Sequence, residues 1–380
     1  MQLDVQEFIA NHKTKSIAEL ALLLSKNQEL PKEYIINQIN GKQKAPNKFP
    51  FLRQFSDYIF PSPRAFSQAS SEETARYKAA ILKADRVLDL SGGMGVDSYF
   101  FAQYAKHSEY VELNEKLVET AKVNFETLGA ANVTSHCAKA EDFIELSTQE
   151  YDLVYLDPDR RLAKEKAFKI DDCEPNVAEL LPQMWKKSKY CMVKLSPMLD
   201  IQQALTQLPN CKEVHVVSVN NDCKELLFLL EKEYSSEPTI TCVNLKKEND
   251  EYFEFTFQEE RTISIEFSDI EKYLYEPNAS IMKAGAFKSI ASQLGLKKLA
   301  TNTHLYTSET LLKNFPGRAL NVLDHGKPQK GFTKQANVVS RNFPLTPEQI
   351  KKKYKIKDGG NQFLYACSLE DGSKRFVLGE

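Results

Sequence analysis

The sequence predicts an α/β protein: a doubly wound, largely parallel sheet, with a helical segment before it and small α+β modules after it. Three observations predict this. Val87-Leu88-Asp89-Leu90 is an apolar run broken by one acid, and three glycines follow in Ser91-Gly92-Gly93-Met94-Gly95 before a helical stretch begins. Strand, glycine loop and helix in that order open a nucleotide-binding α/β sheet. Apolar strands and amphipathic helices then alternate to about residue 238, as parallel pairing requires. From about residue 240 short alternating strands replace that rhythm.

The composition is that of a globular protein: 380 residues, 42% apolar and 27% charged. No apolar run approaches the ~20 residues of a membrane span. Met1-Gln2-Leu3-Asp4 lacks the basic-then-apolar start of a signal peptide. Seven cysteines are scattered without a CxxC pair, which reads as reduced thiols in a cytoplasmic protein and argues against a metal site. Net charge is −2, but it is unevenly spread. From Lys313 onward there are 13 Lys/Arg against 6 Asp/Glu, a net of +7, while the rest carries 37 against 46. A basic end on an acidic body points to a polyanion docking there.

In chain order, residues 1–58 form a helical segment, with helices expected at Val5–His12, Ser16–Leu24 and Pro31–Ile39. Gly41 is read as the end of the third helix, and the residues from Lys42 to Pro50 as a basic connector. Residues 59–238 form the sheet domain. Ser70 with Glu73 fits a capping box opening a helix to about Lys83, and Asp97 is a plausible cap for the helix after the glycine loop. Strands are expected at Glu109–Leu113, Val133–Cys137, Tyr151–Asp157 and Tyr190–Leu195, and helices lie between them. Val214–Val219 and Glu225–Glu231 are separated by a short link, so the sheet should hold five parallel strands and an antiparallel pair. Residues 239–318 read as a first α+β module, with strands at Ile240–Leu245, Tyr252–Phe257 and Thr262–Phe267, a turn at Tyr275–Ala279 and a helix over Ser280–Leu294. Residues 319–380 read as a second, basic module, with a helix opening at Thr346-Pro347-Glu348-Gln349 and a closing hairpin around Asp371-Gly372.

The chemistry concentrates at the carboxyl ends of the strands. A nicotinamide site would carry a third glycine where Ser98 stands. Glu112 closes the second strand and suits ribose hydroxyls. The antiparallel pair and Asp157-Pro158 at the end of the fourth strand favour S-adenosylmethionine (SAM) over NAD. Gln68, Asp89, Ser91, Gly93, Gly95, Asp97, Glu112, Leu113, Ala140, Glu141, Asp142 and Asp157 are the candidate cofactor residues. Lys139 stands where an acid would hold adenine, and Asp142 could replace that acid. Asp157 and Pro158 would position the acceptor. Many amine-methylating enzymes have an aromatic residue where this chain has Arg160, and a guanidinium can stack on a base or grip phosphate. Arg160, Arg161, Lys194, Arg341, Lys351 and Lys352 are the candidate substrate contacts.

These residues resemble a bacterial family of Rossmann-like class I SAM-dependent methyltransferases that end in a THUMP-like domain. The likeness rests on Gln68–Ser71 with Thr74–Lys78, on Asp89–Asp97, on Asp157-Pro158-Asp159-Arg160-Arg161, and on Ala336–Leu345; Tyr275–Gly285 resembles an intervening ferredoxin-like part. The resemblance implies SAM binding and an RNA substrate, tRNA or rRNA. Two alternatives stay open: a catalytically silent RNA-binding protein that keeps the fold, and a methyltransferase for a protein or small molecule.

Overall fold

The computed structural model describes residues 2–25, 30–160, 170 and 173–380. Its contacts divide the chain into two compact units, residues 1–212 with 227–236, and residues 213–226 with 237–380.

The first unit opens with helices Gln2–His12, Ile17–Ser25 and Lys32–Lys48. Ile9, Leu20, Leu24, Ile35 and Ile39 form their shared core. The third helix runs through Gly41, so most of the expected basic connector is helical. A Cβ at Gly41 would meet the Phe60 ring at 2.1 Å. The glycine is a seat for an aromatic side chain, not a helix stop. Gln38 fixes the same segment by accepting from the Phe60 amide and donating to its carbonyl.

Five parallel strands follow: β1 (Arg86–Asp89), β2 (His107–Glu112), β3 (Val133–Cys137), β4 (Tyr151–Leu156) and β5 (Ser188–Leu195). Their order is β3-β2-β1-β4-β5. Val87, Leu88, Tyr110, Val111, Leu153–Leu156 and Cys191–Val193 are at most 2% exposed, which explains why these strands read as continuous apolar runs. Asp89 is in register with Tyr110 and with Tyr155, and Glu112 with Cys137. Parallel pairing therefore brings the carboxyl ends of β1, β2, β4 and β5 to one rim. A two-residue ladder, Asp159–Arg160 with Cys173–Glu174, stands just beyond β4.

β6 (Cys211–Val219) and β7 (Asp222–Glu231) are neighbours joined by Asn220-Asn221. Both asparagines have positive φ, 49° and 65°, as a tight antiparallel hairpin demands. In the second unit β8 (Thr239–Leu245) runs parallel to β6, and β9 (Glu251–Phe255) antiparallel to β8. Residues 239–255 thus extend the β6 sheet, where the sequence suggested the start of a separate module. The expected strand at Thr262–Phe267 is also replaced: Thr256 and Glu259 form a capping box for a helix over Phe257–Thr262.

A seven-stranded sheet completes this unit: β10 (Tyr273–Pro277), β11 (Lys297–Ala300), β12 (Thr303–Ser308), β13 (Gly317–Gly326), β14 (Asn337–Arg341), β15 (Phe363–Ser368) and β16 (Lys374–Gly379), in the order β11-β12-β10-β13-β16-β15-β14. The expected turn at Tyr275–Ala279 is mostly strand, with Asn278 capping the next helix. The expected helix at Ser280–Leu294 is two short ones, Ala279–Ala284 and Ser289–Leu294. β13 pairs with both β10 and β16, so the two expected modules share one sheet. The helix Pro347–Tyr354 has the expected Thr346/Gln349 capping box.

Candidate active site

The glycine loop is held from below and from both sides. Tyr110 on β2 lies under it, and its hydroxyl donates to the Gly93 carbonyl at 2.8 Å. A Cβ at Gly92 would meet that ring at 2.2 Å, so only glycine allows the approach. Glu112 accepts from the Gly93 amide at 3.0 Å and from the Asn114 amide at 2.8 Å. Gly95, in the left-handed region at φ 83°, begins the helix Val96–Ala102. Asp97 is thus in the first helical turn rather than at the cap.

Asp89 is 1% exposed. It accepts from the Ser91 amide at 2.9 Å, the Ser91 hydroxyl at 3.2 Å and the Ser98 hydroxyl at 2.5 Å. Burial pushes its carboxyl up to about 7 against the pull of those hydrogen bonds. Expected as a cofactor contact, Asp89 is instead closed off and shapes the loop. Ser98, which replaced the third glycine of the nicotinamide pattern, is the partner that holds it.

Ser91 reaches across the rim. Its hydroxyl donates to Asp89 and accepts from the Asp157 amide at 2.7 Å. Asp157 is paired with Lys194, the penultimate residue of β5, at 2.5 Å. Burial raises the Asp157 carboxyl more than Lys194 and Lys78 lower it. Pro158 is buried beside it. Asp159 accepts from the Gln68 side-chain amide at 3.0 and 3.1 Å, so Gln68 fastens the Asp-Pro turn. Arg160 contributes its backbone to the ladder with Cys173; Arg161 lies outside the described residues.

On the other flank Leu113 is 62% exposed beside Glu112. Ala140 is buried, Glu141 half-buried and Asp142 exposed in the first turn of the helix Ala140–Leu146. Lys139 sits at its N-cap position without a side-chain capping bond.

Three site residues escaped the sequence reading. Ser70 is not the helix cap; Ser71 is, accepting from the Thr74 amide. Ser70, Lys78 and Tyr155 instead surround Asp97. The Ser70 and Tyr155 hydroxyls donate to Asp97 at 2.8 and 3.0 Å. Lys78, 0% exposed, lies 3.1 Å from its other oxygen. Burial would raise Asp97, but Lys78, Lys194 and Ser70 bring it below the usual carboxylate range. The signal was present: Thr74, Ala75, Lys78 and Ala79 form one buried stripe of the helix Glu72–Ile81. A lysine on such a stripe must find acceptors inside.

Comparison with a solved structure decides the family. The chain is 31% identical to a protein from Porphyromonas gingivalis W83 assigned as a methyltransferase, with a TM-score of 0.89 over 100% of this chain and 97% of that one. It belongs to that methyltransferase family. The family's sheet domain is of the class I methyltransferase fold, and two domain models match behind it: a ferredoxin-like domain over residues 273–316 and a THUMP domain-like segment over 325–380. Among curated relatives, the 23S rRNA (uracil(747)-C(5))-methyltransferase RlmC of Vibrio vulnificus (strain CMCP6) is 24% identical over 177 residues, 47% of this chain and 42% of its own. The 23S rRNA (uracil(1939)-C(5))-methyltransferase RlmD of Haemophilus ducreyi (strain 35000HP) is 39% identical over 85 residues, 22% of this chain and 19% of its own. The chain thus spans less than half the length of these curated relatives.

In the second unit, Arg341 is bound to Glu276 at 2.5 and 2.9 Å. Lys351 is paired with Asp358 at 3.1 Å, and Lys352 is exposed. No helix among the described residues is long and apolar enough to cross a membrane.

Proposed function

We propose that this methyltransferase uses SAM and acts on RNA, tRNA or rRNA. The observation that carries the reading is the Ser91 bridge: one hydroxyl joins the glycine loop to the Asp157-Pro158 turn, so a nucleotide cradle and an acceptor-holding carboxylate share one rim. The loop backbone at Gly93 is left clear on its Cβ side. A Cβ on Gly93 would meet nothing nearer than the Ser91 carbonyl at 3.7 Å.

When bound, SAM supplies a methyl group on a cationic sulfonium. The backbone at Gly93 and Gly95 would carry its amino-acid and ribose portions, and Glu112 would accept from the ribose hydroxyls. Exposed Leu113, with Ala140, Glu141 and Asp142, would border the adenine. Asp157 would accept a hydrogen bond from the acceptor group and hold it in line, while Lys194 fixes the carboxylate and Gln68 the turn. Such in-line placement can contribute ~7–11 kcal/mol at best.

RNA as substrate is supported by the rRNA specificity of the curated relatives, by the THUMP domain-like segment and by the +7 end of the chain. Calorimetry with SAM, then gel shifts with total RNA at rising salt, test the reading. Micromolar SAM binding and a salt-dependent RNA shift are expected. No heat at millimolar SAM would favour the silent RNA-binding alternative, which Lys139 on the adenine side motivates.

A further inference from the structure

We propose that Lys78 is a positioning residue for methyl transfer, holding the acceptor strand and the glycine-loop helix together and giving Asp97 its buried ionic partner. The inference rests on the SAM reading above and goes beyond it, because Lys78 acts through Asp97 and Tyr155.

The Lys78 ammonium donates to the Ser70 hydroxyl at 2.7 Å, to Asp97 at 3.2 Å and to the Tyr155 hydroxyl at 3.3 Å. A lysine with no exposed surface requires such acceptors around it. Each acceptor sits on a different element: Ser70 ahead of the helix Glu72–Ile81, Asp97 in the first turn after the glycine loop, Tyr155 on β4 two residues before Asp157. The lysine therefore fixes the distance between cofactor loop and acceptor turn. Strand alternation sends Tyr155 and Asp157 to the same face, so an anchor on Tyr155 is also an anchor for the turn.

The charge arrangement gives the lysine a second effect. Asp157 is acted on by Lys194 from β5, by Lys78 from the helix behind and by Asp97 from the glycine-loop helix. The first two favour the carboxylate and the third opposes it. Without Lys78, Asp97 loses its direct partner and the favourable field on Asp157 weakens. Both carboxyls then hold their protons to higher pH, in a site meant to receive a sulfonium and an ammonium.

The test is SAM affinity by calorimetry from pH 5.5 to 8.5 for the wild-type chain and for Lys78→Met, which keeps the length and removes the charge. The ligand's own titration is common to both proteins and cancels in the ratio. We expect wild-type affinity to carry no Asp97 titration in this range, and Lys78→Met to lose affinity relative to wild type as pH falls, about tenfold at pH 5.5 and little at pH 8.5, because Asp97 has lost its direct partner. A loss equal at every pH, or none, overturns the inference, since a purely structural role has no reason to follow a carboxylate titration. Should Lys78→Met fail to fold by circular dichroism, Tyr155→Phe and Ser70→Ala carry the test. Each deletes one acceptor and keeps the charge, and each should lose affinity at low pH by a smaller amount; a ratio to wild type independent of pH in both overturns the inference. A wild-type chain that binds no SAM at any pH overturns this inference together with the reading it rests on. Wild-type binding with a variant-to-wild-type ratio independent of pH overturns this one alone.

Discussion

Asp97 and Glu276 are both carboxylates held by a tyrosine hydroxyl and by cations, one in each unit, and they differ in where the surplus charge falls. Asp97 takes hydrogen bonds from Tyr155 and Ser70 and shares the fully buried Lys78 with the field of Asp157. Glu276 accepts from Tyr365 at 2.6 Å and serves two guanidiniums, Arg318 at 3.2 Å and Arg341 at 2.5 Å. Arg318 also lies 4.0 Å over the Phe363 ring. The first cluster encloses its cation, suited to holding parts of a site in register. The second leaves one net positive charge on arginines that are 37% and 39% exposed. Guanidiniums with spare donors beside an aromatic ring suit phosphates and unpaired bases. The same ingredients thus give rigidity when the cation is enclosed, and a charged surface when the carboxylate is.

The comparison can be broken most sharply at the chemistry. Asp157→Asn keeps the Ser91 bridge but weakens the acceptor's partner. We expect kcat to fall by a hundredfold or more, about 3 kcal/mol or above, with SAM affinity changed only severalfold. Equal losses in kcat and SAM affinity would show that Asp157 belongs to the cofactor site instead.

Asp89 tests how closed the first unit is. Its carboxyl keeps a proton to about 7 when folded, against 3.8 for the free group. The unfolded chain therefore releases that proton first, and the contribution of Asp89 to stability falls as pH rises from about 4 to 7 and is flat above. Asp89→Asn removes the titration. Its melting temperature relative to wild type should climb across that window, by the equivalent of roughly 2–4 kcal/mol. A difference independent of pH would mean that Asp89 ionises normally.

Glu276→Gln probes the other cluster. It leaves two guanidiniums without their shared carboxylate, and because both are partly solvated the cost should be about 1–3 kcal/mol in urea unfolding. RNA affinity should hold or rise, as the surface gains positive charge. The smallest effects belong to the outermost cation. Lys352→Ala should leave stability within about 0.5 kcal/mol and lower the salt slope of RNA binding by about one. An unchanged slope would remove the Pro347–Tyr354 helix from the RNA-binding face.

The sheet was legible because buried parallel strands are apolar throughout, and because the residues at their ends stand out against that background. Asp89, Glu112 and Asp157 were visible for this reason. What stayed hidden was decided by pairing and packing. Tyr275–Ala279 reads as a turn for its proline and asparagine, yet most of it lies in the strand Tyr273–Pro277, which β12 and β13 flank on both sides. Gly41 reads as a helix end until Phe60 is seen against it. Thr256-Phe257-Gln258-Glu259 did carry a capping-box signature, which an alternating pattern obscured. Lys78 was hidden differently, because a charged residue is read as exposed unless the helix face it shares is counted first. Arg341 was legible as a basic residue but not as one held by Glu276, since that contact joins residues 65 positions apart.

The most direct test of the central claim is transfer of tritiated methyl from SAM to total RNA of a strain lacking this protein, with wild-type and Asp157→Asn chains side by side. The account predicts label in the tRNA or rRNA fraction with the wild-type chain and a hundredfold less with the variant. Unlabelled RNA beside a labelled protein or metabolite fraction would contradict it.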